Sequence, residues 1–453
     1  MIVSKFGGSS LADAGQIRKV FEIVAANRSR KVVVVSAPGK RDKTDTKVTD
    51  LLIRCAEAQT AGNDPTETLS DLLERFHSIT RDLGLEEPIF RIIEADIKNR
   101  ITESGTLEKD EFFDLMKAAG EDNCAKLVAA YFTKSGLPAR YVDPKEIGFY
   151  LTEHFGNAQV LPETYTNLAR LKDADEIVVF PGFFGYTKNE KVITFSRGGS
   201  DITGSILAAA LDAEMYENFT DVNSVYAVNP ALVPNAKAIK ELTYREMREL
   251  SYAGFNVYHE DALIPVFNRD IPVMIKNTNN PSAEGTAILP TRALSPAEPV
   301  VGISAATGFM VINVSKLLMN TEVGFGRKVL SIIEDERISF EHMPSGIDNI
   351  SIVIHAHDAP PEVEQRIIRR IETELESDEV TVRRGVAIVM LVGEGMLNTI
   401  GVVAKATRAL TEAGINIELI NHGASAVSLM FGIDASHASQ TVRSLYKAFF
   451  DEG

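Results

Sequence analysis

Short apolar runs alternate with helix-patterned segments through most of the chain before residue 280. Runs such as Val32–Val35 and Ile177–Phe180 are continuously apolar, which is typical of strands buried on both faces of a sheet. Between such runs, apolar residues recur at helical spacing, for example at Ile17, Val20 and Val24. This alternation predicts an α/β fold in which a mostly parallel sheet is covered by helices on both faces.

In a parallel sheet of this kind, ligands bind beyond the carboxyl ends of the strands. Six of the predicted strands are each followed by a polar or glycine-rich cluster. These clusters lie at residues 5–10, 36–41, 181–185, 196–201, 220–221 and 276–277. Because strand ends meet at one edge of the sheet, the clusters predict a single ligand-binding edge.

The first cluster, Lys5 to Ser10, joins a strand to a helix pattern through Gly7 and Gly8. Glycines let an anion approach the backbone, and a helix N-terminus offers free N–H groups, so Gly7, Gly8 and Ser9 suit a phosphate. Lys5 adds a mobile positive charge at the strand end. The alternative interpretation of the same residues is a tight turn that binds no ligand.

A second cluster of the same kind precedes another helix pattern at Ser196–Asp201. Arg197 offers a bidentate fork for a carboxylate or phosphate, followed by Gly198, Gly199 and Ser200. Asp201 either caps the helix or holds a lysine or a metal ion. Two such helix starts suit a reaction with anionic groups on both sides, of which phosphoryl transfer to a carboxylate is one case.

Glu121 and the pair Thr220–Asp221 carry two interpretations each, and Thr49 or Asp50 carries one. Glu121, predicted at a helix start after Gly120, either favours the helix dipole or binds a substrate ammonium. Thr49 or Asp50 is a plausible cap of a helix. The pair Thr220–Asp221 either borders a nucleotide or forms an Asx turn.

Composition narrows the class of protein. The chain has 453 residues, enough for two or three domains, and its formal net charge of −16 argues against nucleic acid or an anionic membrane as the main partner. Two cysteines, neither in a metal-ligand spacing, exclude a disulfide framework and fit a reducing cytosol. No signal peptide or membrane-spanning run is recognised, so we expect a cytoplasmic protein.

The pattern changes after a proline-rich break at residues 290–299. Beyond it the order strand–helix–strand–strand–helix–strand occurs twice. Ile338–His342 and Ile415–Glu418 are predicted strands at matching places, and Ile338–Glu341 resembles Ile415–Glu418 in sequence. The second copy lacks a last strand, which interleaving with the first copy would supply. We therefore predict four regions: a catalytic domain at 1–290, a linker at 291–300, and βαββαβ units at 301–383 and 384–453.

Taken together, the clusters resemble those of the aspartokinase family, within the amino-acid kinase superfamily. The segments that carry the resemblance are Lys5–Ser10, Gly120–Glu121, Phe195–Asp201, Phe219–Asp221 and Lys276–Thr278. The resemblance implies a three-layer, mostly parallel sheet followed by two ferredoxin-like ACT units. It also implies ATP-dependent phosphorylation of the side-chain carboxylate of L-aspartate to 4-phospho-L-aspartate, the first step of aspartate-family amino-acid biosynthesis.

The resemblance assigns roles by position. Lys5 would contact the transferring phosphoryl group, and Asp201 would orient Lys5. Residues assigned to aspartate are Thr49, Glu121, Arg197, Gly198, Gly199 and Ser200. Residues assigned to the nucleotide are Gly7, Gly8, Ser9, Thr220, Asp221, Tyr226, Lys276 and Asn277. Mg²⁺ would bridge the ATP phosphates, with no dedicated metal ligands in the chain.

Two departures from the family pattern concern the nucleotide. Asn256 stands where many aspartokinases have a nucleotide-contacting lysine, and Ala231 stands where they often have arginine. Lys40, Arg41, Lys43 and Lys276 are the candidates to replace these cations. The departures keep open the alternative of a catalytically weak amino-acid sensor. A kinase for another acidic metabolite, such as glutamate, is a separate alternative.

The ACT region contains the segments in which the family binds an inhibitory amino acid, commonly lysine or threonine. The effector-site residues implied by the resemblance are Met319, Gly324, Phe325, Ser339, Phe340, Glu341 and Ser345. Glu341 either takes the effector ammonium or is a solvated residue at a strand end. ACT units commonly pair between chains, so the resemblance implies a homodimer or a larger homo-oligomer.

Overall fold

The computed structural model describes residues 1–196, 198–252, 254–255, 258–423 and 427–451. The chain divides into two units. The first comprises Met1–Val225, Ala238–Ser251 and Asn256–Arg292, and the second comprises Tyr226–Lys237, Tyr252–Phe255 and Ala293–Gly453. Two short segments before residue 290 thus group with the C-terminal part of the chain, a division that differs from the domain limits predicted from the sequence.

The first unit is built on an eight-stranded sheet in the order β3-β4-β2-β1-β7-β9-β10-β8. Its strands are β1 (Ile2–Phe6), β2 (Arg30–Val35), β3 (Ala139–Tyr141), β4 (Ile177–Pro181), β7 (Met215–Thr220), β8 (Glu241–Thr243), β9 (Val273–Asn277) and β10 (Thr286–Leu289). Neighbouring strands are parallel except where β10 meets β9. Strand β1 lies in the middle, with Lys5 opposite Val34 on one side and Asn218 on the other. The mostly parallel sheet confirms the predicted fold class.

Helices connect these strands. They are α1 (Ala14–Ala25), α2 (Val48–Thr60), α3 (Thr66–Asp82), α4 (Glu87–Thr102), α5 (Lys109–Lys134), α6 (Pro144–Ile147), α7 (Pro162–Leu168), α8 (Gly199–Ala210), α9 (Tyr244–Tyr252) and α10 (Leu263–Phe267). The apolar stripes of α1 to α5 pack with buried side chains of the sheet into one core, which includes Phe6, Ile17, Phe76 and Phe132. Because these apolar stripes are buried, they determine which face of each helix packs against the sheet.

Two predicted helix starts are wrong. The glycine pair does not open α1 directly, because a 3₁₀ turn at Gly8–Leu11 intervenes and the Asp13 side chain caps α1 by accepting from the Gln16 amide. Neither Thr49 nor Asp50 caps α2, which begins one residue earlier, at Val48. Thr49 is therefore free of the capping role that its sequence context suggested.

Glu121 does not lie at a helix start either. It lies in the interior of α5, which runs unbroken for 26 residues. Gly120 is accommodated because α5 packs tightly there: a Cβ at Gly120 would lie 2.7 Å from the Ala37 Cβ and 3.3 Å from the Leu52 Cδ1. The helix dipole therefore does not explain why a glutamate occurs at position 121. The explanation has to come from its place on the buried face of α5.

The second glycine cluster follows a small hairpin instead of a strand of the main sheet. Strands β5 (Phe184–Tyr186) and β6 (Val192–Thr194) pair antiparallel with each other in a separate two-stranded sheet. The hairpin returns the chain to the end of β4, where the Phe195 amide donates to the Phe183 carbonyl at 2.9 Å. Helix α8 starts from this hairpin, so the cluster reaches the ligand-binding edge by a different route from the predicted one.

The second unit contains a five-stranded sheet in the order β12-β11-β13-β15-β14. Its strands are β11 (Gly302–Ser315), β12 (Asn349–His355), β13 (Glu379–Val392), β14 (Leu419–His422) and β15 (Ser428–Asp434). Its helices are α11 (Phe325–Asp335), α12 (Pro361–Glu374), α13 (Val402–Glu412) and α14 (Ala438–Tyr446).

The two long strands, β11 and β13, each belong to both copies of the repeat. Residues 309–315 of β11 pair with β12 and with the first half of β13, whereas residues 302–306 pair with residues 388–392. Strand β13 runs through residue 383, where the sequence placed a boundary. The predicted strands Ile338–His342 and Ile415–Glu418 are wrong: the first contributes a single bridge, His342 to Val353, and the second precedes β14.

Within the described residues, none of the helices is long and apolar enough to cross a membrane.

Candidate active site

A cleft of about 180 Å³ opens in the first unit beyond the carboxyl ends of β1 and β2. It is lined by Lys5, Ser36, Thr49, Glu121, Phe183, Gly198, Gly199, Ser200 and Asp201. Seven of these nine residues were assigned to catalysis or aspartate from the sequence. Segments more than a hundred residues apart meet here because the parallel sheet aligns their strand ends.

The charge pair at the centre of the cleft is Lys5 with Asp201. The Lys5 Nζ lies 2.5 Å from the Asp201 Oδ1, and both side chains are largely buried. Asn218, in the strand next to Lys5, donates to the same oxygen at 2.7 Å. Asp201 makes no side-chain cap of α8. Of the two interpretations of Asp201, the structure therefore favours the one in which it holds a lysine.

Glu121 faces the cleft from α5. Burial raises the pKa of its carboxyl to about 8, while the Ala37 backbone amide and the Lys5 charge act in the opposite direction. Among the described residues, its Oε2 is buried without a hydrogen-bond partner. A buried acceptor without a partner costs free energy, so this oxygen is suited to a donor supplied by a ligand.

Close backbone contacts shape the walls of the cleft. A Cβ at Gly39 would lie 2.5 Å from the Gly8 carbonyl carbon, and the Gly39 amide donates to the Gly8 oxygen at 2.8 Å. On the opposite wall, Gly198 adopts a left-handed conformation with φ of 77°, and a Cβ there would lie 2.5 Å from the His259 Cβ. Glycine is needed at these positions for packing as well as for ligand access.

Ser36 and Phe183 were not assigned to the site from the sequence, although both lie in clusters that follow predicted strands. Phe183 has a φ of 74°, unusual for a bulky residue. Its amide donates to the Thr203 hydroxyl at 3.1 Å, and its carbonyl accepts from the Phe195 amide at 2.9 Å. These bonds hold Phe183 in a strained conformation at the cleft, a feature that backbone geometry reveals and sequence pattern does not.

The residues assigned to the nucleotide fall in two places. Thr220 and Asp221 lie at the end of β7, beside Asn277 at the end of β9. The buried Asn277 amide donates to the Asp221 carbonyl at 3.2 Å and to Asn223 at 2.8 Å, so it fixes this edge. Tyr226 instead belongs to the second unit.

Three other residues assigned to the nucleotide are Lys276, Gly7 and Ser9. Lys276, a half-buried residue of β9, lies opposite Phe219 in the neighbouring strand. The Gly7 amide donates to the Phe219 carbonyl at 3.1 Å and is occupied, unlike the free N–H group that the sequence suggested. Ser9 lies in the 3₁₀ turn, partly exposed.

Two residues of the sequence argument, Arg197 and Asn256, lie outside the described residues. Ala231, the other departure from the family pattern, is exposed in the segment Tyr226–Lys237 of the second unit. The aspartate-side assignments other than Arg197 therefore share one cleft, whereas the nucleotide-side assignments are spread more widely.

Comparison with known proteins decides the family. The pattern of the amino acid kinase family matches residues 1–277, and an ACT domain pattern matches residues 389–449. Aspartokinase 3 of Bacillus subtilis (strain 168) is 52% identical over 450 residues, which cover 99% of this chain and 99% of that protein. The chain belongs to the aspartokinase family.

Solved aspartokinase structures resemble this chain along its whole length. The crystal structure of Clostridium acetobutylicum aspartate kinase superposes with a TM-score of 0.86 at 35% identity, covering 99% of this chain and 100% of that one. Escherichia coli aspartokinase III in complex with aspartate and ADP gives a TM-score of 0.82 at 24% identity, covering 99% of this chain and 100% of that one, a likeness of fold.

The residues that the aspartokinase resemblance assigned to an effector lie in the second unit. Met319 and Phe325 are buried, and Gly324 caps α11 with a φ of 80°. The others, Ser339, Phe340, Glu341 and Ser345, follow α11 and are exposed or half-buried.

Glu341 is not a solvated residue at the end of a strand. Its carboxylate accepts from the Tyr252 hydroxyl and lies 3.5 Å from the His355 Nε2. Burial raises its pKa, with His355 opposing and Asp358 reinforcing the rise. No lysine or arginine of the described ranges lies within ion-pair distance of it, so a cationic ligand would find an unneutralised carboxylate.

No group of three or more histidine, cysteine, aspartate or glutamate side chains in the described part of the chain is placed to hold a metal ion. The Asp201 carboxylate is already engaged by Lys5 and Asn218. Mg²⁺ in kinases commonly binds through substrate phosphates and water with few protein ligands. In the described part of the chain, the cleft therefore presents no preformed carboxylate cage for a metal ion.

Proposed function

We propose that this cleft is the active site at which the chain, an aspartate kinase, uses ATP to phosphorylate the side-chain carboxylate of L-aspartate. The observation that carries the assignment is the meeting, in one cleft, of a buried Lys5–Asp201 pair with the Glu121 carboxylate, whose Oε2 has no hydrogen-bond partner among the described residues. The first would stabilise a transferring phosphoryl group, and the second would bind an ammonium group.

In the proposed pose, the aspartate ammonium donates to Glu121, and its backbone carboxylate pairs with Arg197. Thr49 and Ser200 supply hydroxyls to the same substrate. An oxygen of the side-chain carboxylate attacks the γ-phosphorus of ATP, the bond from that phosphorus to the β,γ-bridging oxygen breaks, and ADP leaves. Lys5 neutralises the charge on the transferring group, while Asp201 holds the ammonium of Lys5 in place. Mg²⁺, carried by ATP, supplies further neutralisation of the phosphate charge.

The activity is tested by measuring ADP release from Mg-ATP with aspartate, glutamate and N-acetylglutamate as separate acceptors. We expect turnover with aspartate and little with the other two. Preference for glutamate or N-acetylglutamate would replace the proposal with a kinase for another acidic metabolite. Effector binding without turnover would support the catalytically weak sensor, the alternative that the intact Lys5–Asp201 pair disfavours.

The ATP phosphates need a cation in place of the family lysine that is Asn256 here, and we propose Lys40. Lys40 directly follows Gly39, which packs on the backbone of Gly8 in the glycine turn, and it is exposed. Arg41 is less suited, because it is paired with Asp45. Thr220, Asp221, Lys276 and Asn277 complete the nucleotide side.

Replacing Lys40 by alanine should raise the KM for ATP by about tenfold, the effect of losing one charge-assisted phosphate contact. The KM for aspartate should change little. Lys47→Ala is the matched control, since Lys47 is an exposed lysine of the same loop and is not among the candidate phosphate contacts. Steady-state kinetics with each substrate varied in turn measures both constants, and an equal effect of the two variants would remove Lys40 from the site.

We also propose feedback regulation by an amino acid bound at the second unit, with Glu341 taking its ammonium. The Escherichia coli relative has been crystallised with lysine and aspartate, and lysine or threonine is the expected effector here. ACT units pair between chains in this family, so we propose a homodimer or larger assembly, acting in the cytoplasm in the biosynthesis of lysine and threonine.

Glu341→Gln should raise the half-inhibitory concentration of the effector by about tenfold, because it removes the charge that an ammonium would meet. Glu418→Gln is the control, since Glu418 occupies the matching place in the second repeat but is paired with Arg383 at 2.8 Å. Inhibition is measured with a panel of amino acids added to the kinase assay. Similar curves for both variants would exclude Glu341 from effector binding.

A further inference from the structure

Arg75 is a buried charge that the proposed reaction does not use. It lies on α3, among Leu72, Phe76 and Ile79 of the apolar core, and only 4% of it is exposed. It does not line the cleft. An arginine is costly to bury, so its place in an apolar stripe needs an explanation from its partners.

The guanidinium of Arg75 binds two segments that approach the cleft. One terminal nitrogen donates to the carbonyls of Ala12 and Gly39, both at 3.2 Å. The other donates to the Asp45 carboxylate and, at 3.1 Å, to the Thr46 carbonyl. One side chain therefore satisfies three backbone carbonyls and one carboxylate, a pattern that needs the planar fork of arginine.

These partners belong to the loop between β2 and α2, residues 36–47, and to the turn that follows the glycine pair. The loop has no regular secondary structure from Ser36 to Lys47. Its start and its end both approach the cleft: Ser36 lines it, the Ala37 amide contacts the Glu121 carboxylate, and Thr49, two residues beyond the end of the loop, lines it as well.

We propose that Arg75 is a positioning residue that holds loop 36–47 against the glycine turn and so sets the aspartate-facing wall of the cleft. The Gly39 amide ties the loop to Gly8 on one side, and Arg75 ties the Gly39 carbonyl on the other. Without the guanidinium, three carbonyls lose their donor. Among the described residues, other hydrogen bonds hold the start of the loop at Ser36, Pro38 and Gly39, but those of residues 40–46 are internal to the loop.

Asp45 supports this arrangement from the surface. Its carboxylate accepts from Arg75 and also from the backbone and side chain of Arg41, at 2.8 to 3.0 Å. The hydrogen bond from Arg41 is the main cause that holds the Asp45 pKa well below its usual range. Asp45 therefore remains charged and keeps the loop attached to the buried arginine at neutral pH.

The test compares Arg75→Met with Arg30→Met. Arg30 is a largely buried arginine with a bidentate carboxylate partner, Glu217. It lies at the N-terminal start of β2, whereas the cleft lies beyond the carboxyl end of that strand. Both variants lose a buried ion pair and stability. Only Arg75→Met should lower kcat/KM for aspartate by a further tenfold to about a hundredfold, because a loop displaced by an ångström misplaces the substrate.

A second readout does not depend on the proposed activity. Loop 36–47 contains the exposed trypsin sites Lys40, Arg41, Lys43 and Lys47. Native-state trypsin cleavage in this loop should accelerate about tenfold in Arg75→Met and not in Arg30→Met, because the loop alone loses its anchor. Mass spectrometry of the fragments locates the cuts.

The milder variants Arg75→Lys and Asp45→Asn keep the test decisive if Arg75→Met does not fold. Each should show intermediate cleavage and an intermediate loss in kcat/KM. Equal kinetics and equal cleavage for the Arg75 and Arg30 variants would overturn the proposal. Faster loop cleavage in a chain without aspartate turnover would leave Arg75 as the loop anchor while refuting the proposed function, on which the kinetic part rests.

Discussion

Replacing Lys5 by methionine should lower kcat by about a thousandfold, with a much smaller change in the KM for aspartate. Lys5 is the cation placed at the centre of the cleft, and it is held by Asp201 at 2.5 Å. Removing one preorganised donor to a transition-state oxygen typically costs 10² to 10³ in kcat, and a full charge in a water-poor cleft acts at the upper end of that range. Single-turnover measurement of ADP formation isolates this chemical step.

Loss of stability must be separated from loss of chemistry, because Lys5→Met also leaves Asp201 buried without its ion-pair partner. Removing one member of a buried pair costs about 3–5 kcal/mol. The double variant Lys5→Met/Asp201→Asn removes both charges and should recover most of the lost thermal stability, since Asn218 still has an oxygen to which it donates. Its activity should stay as low as that of the single variant. Recovery of activity along with stability would show that Lys5 acts through the fold.

The meeting of Lys5 and Asp201 could be predicted from the sequence because the places of both residues depend on short-range rules. Lys5 ends a central strand and Asp201 lies in the first turn of the helix after a glycine pair, and parallel strands bring such ends to one edge. The contact between them spans nearly two hundred residues, yet it needs only the predicted topology. The same reasoning would also place Ser36 and Phe183 at the cleft, because both lie in clusters that follow predicted strands.

Glu121 lines the cleft as predicted, but the local structure predicted for it was wrong. The sequence predicted that a new helix begins at Glu121, directly after Gly120. In the structure α5 continues through Gly120, where Ala37 and Leu52 press on the helix. Tertiary packing of this kind is invisible in a single sequence, because the partners come from a loop and a helix some seventy to eighty residues away.

Tyr226 shows the other limit. It follows a correctly predicted strand end by a few residues, and proximity in sequence suggested a shared site. The segment that begins with Tyr226 instead joins the second unit, where the Ala227 carbonyl accepts from the Ile303 amide at 2.7 Å. Backbone pairing between distant segments carries no residue-type signal, so the sequence offered no means of predicting it.

Replacing Glu121 by glutamine should make the protein more stable at pH 8 while weakening its use of aspartate. The pKa of Glu121 is raised from 4.5 to about 8, chiefly by burial. Between these values the folded state keeps a proton that the unfolded state has lost, so the free energy of unfolding falls as pH rises through this window. Glutamine has no such titration. Thermal unfolding at pH 6 and pH 8 should therefore show a steeper loss in the parent chain than in the variant.

The same titration should appear in substrate binding, with the opposite sign. An ammonium binds best to the charged carboxylate, so aspartate must displace a proton from Glu121 below pH 8. The KM for aspartate should therefore fall by about an order of magnitude between pH 6.5 and 8.5, and binding near pH 7 should release close to one proton. Calorimetry in buffers of different ionisation enthalpy counts that proton, and Glu121→Gln should abolish both the release and the slope. A pH-independent KM in the parent chain would mean that the Lys5 charge, which faces Glu121, already keeps the carboxylate ionised.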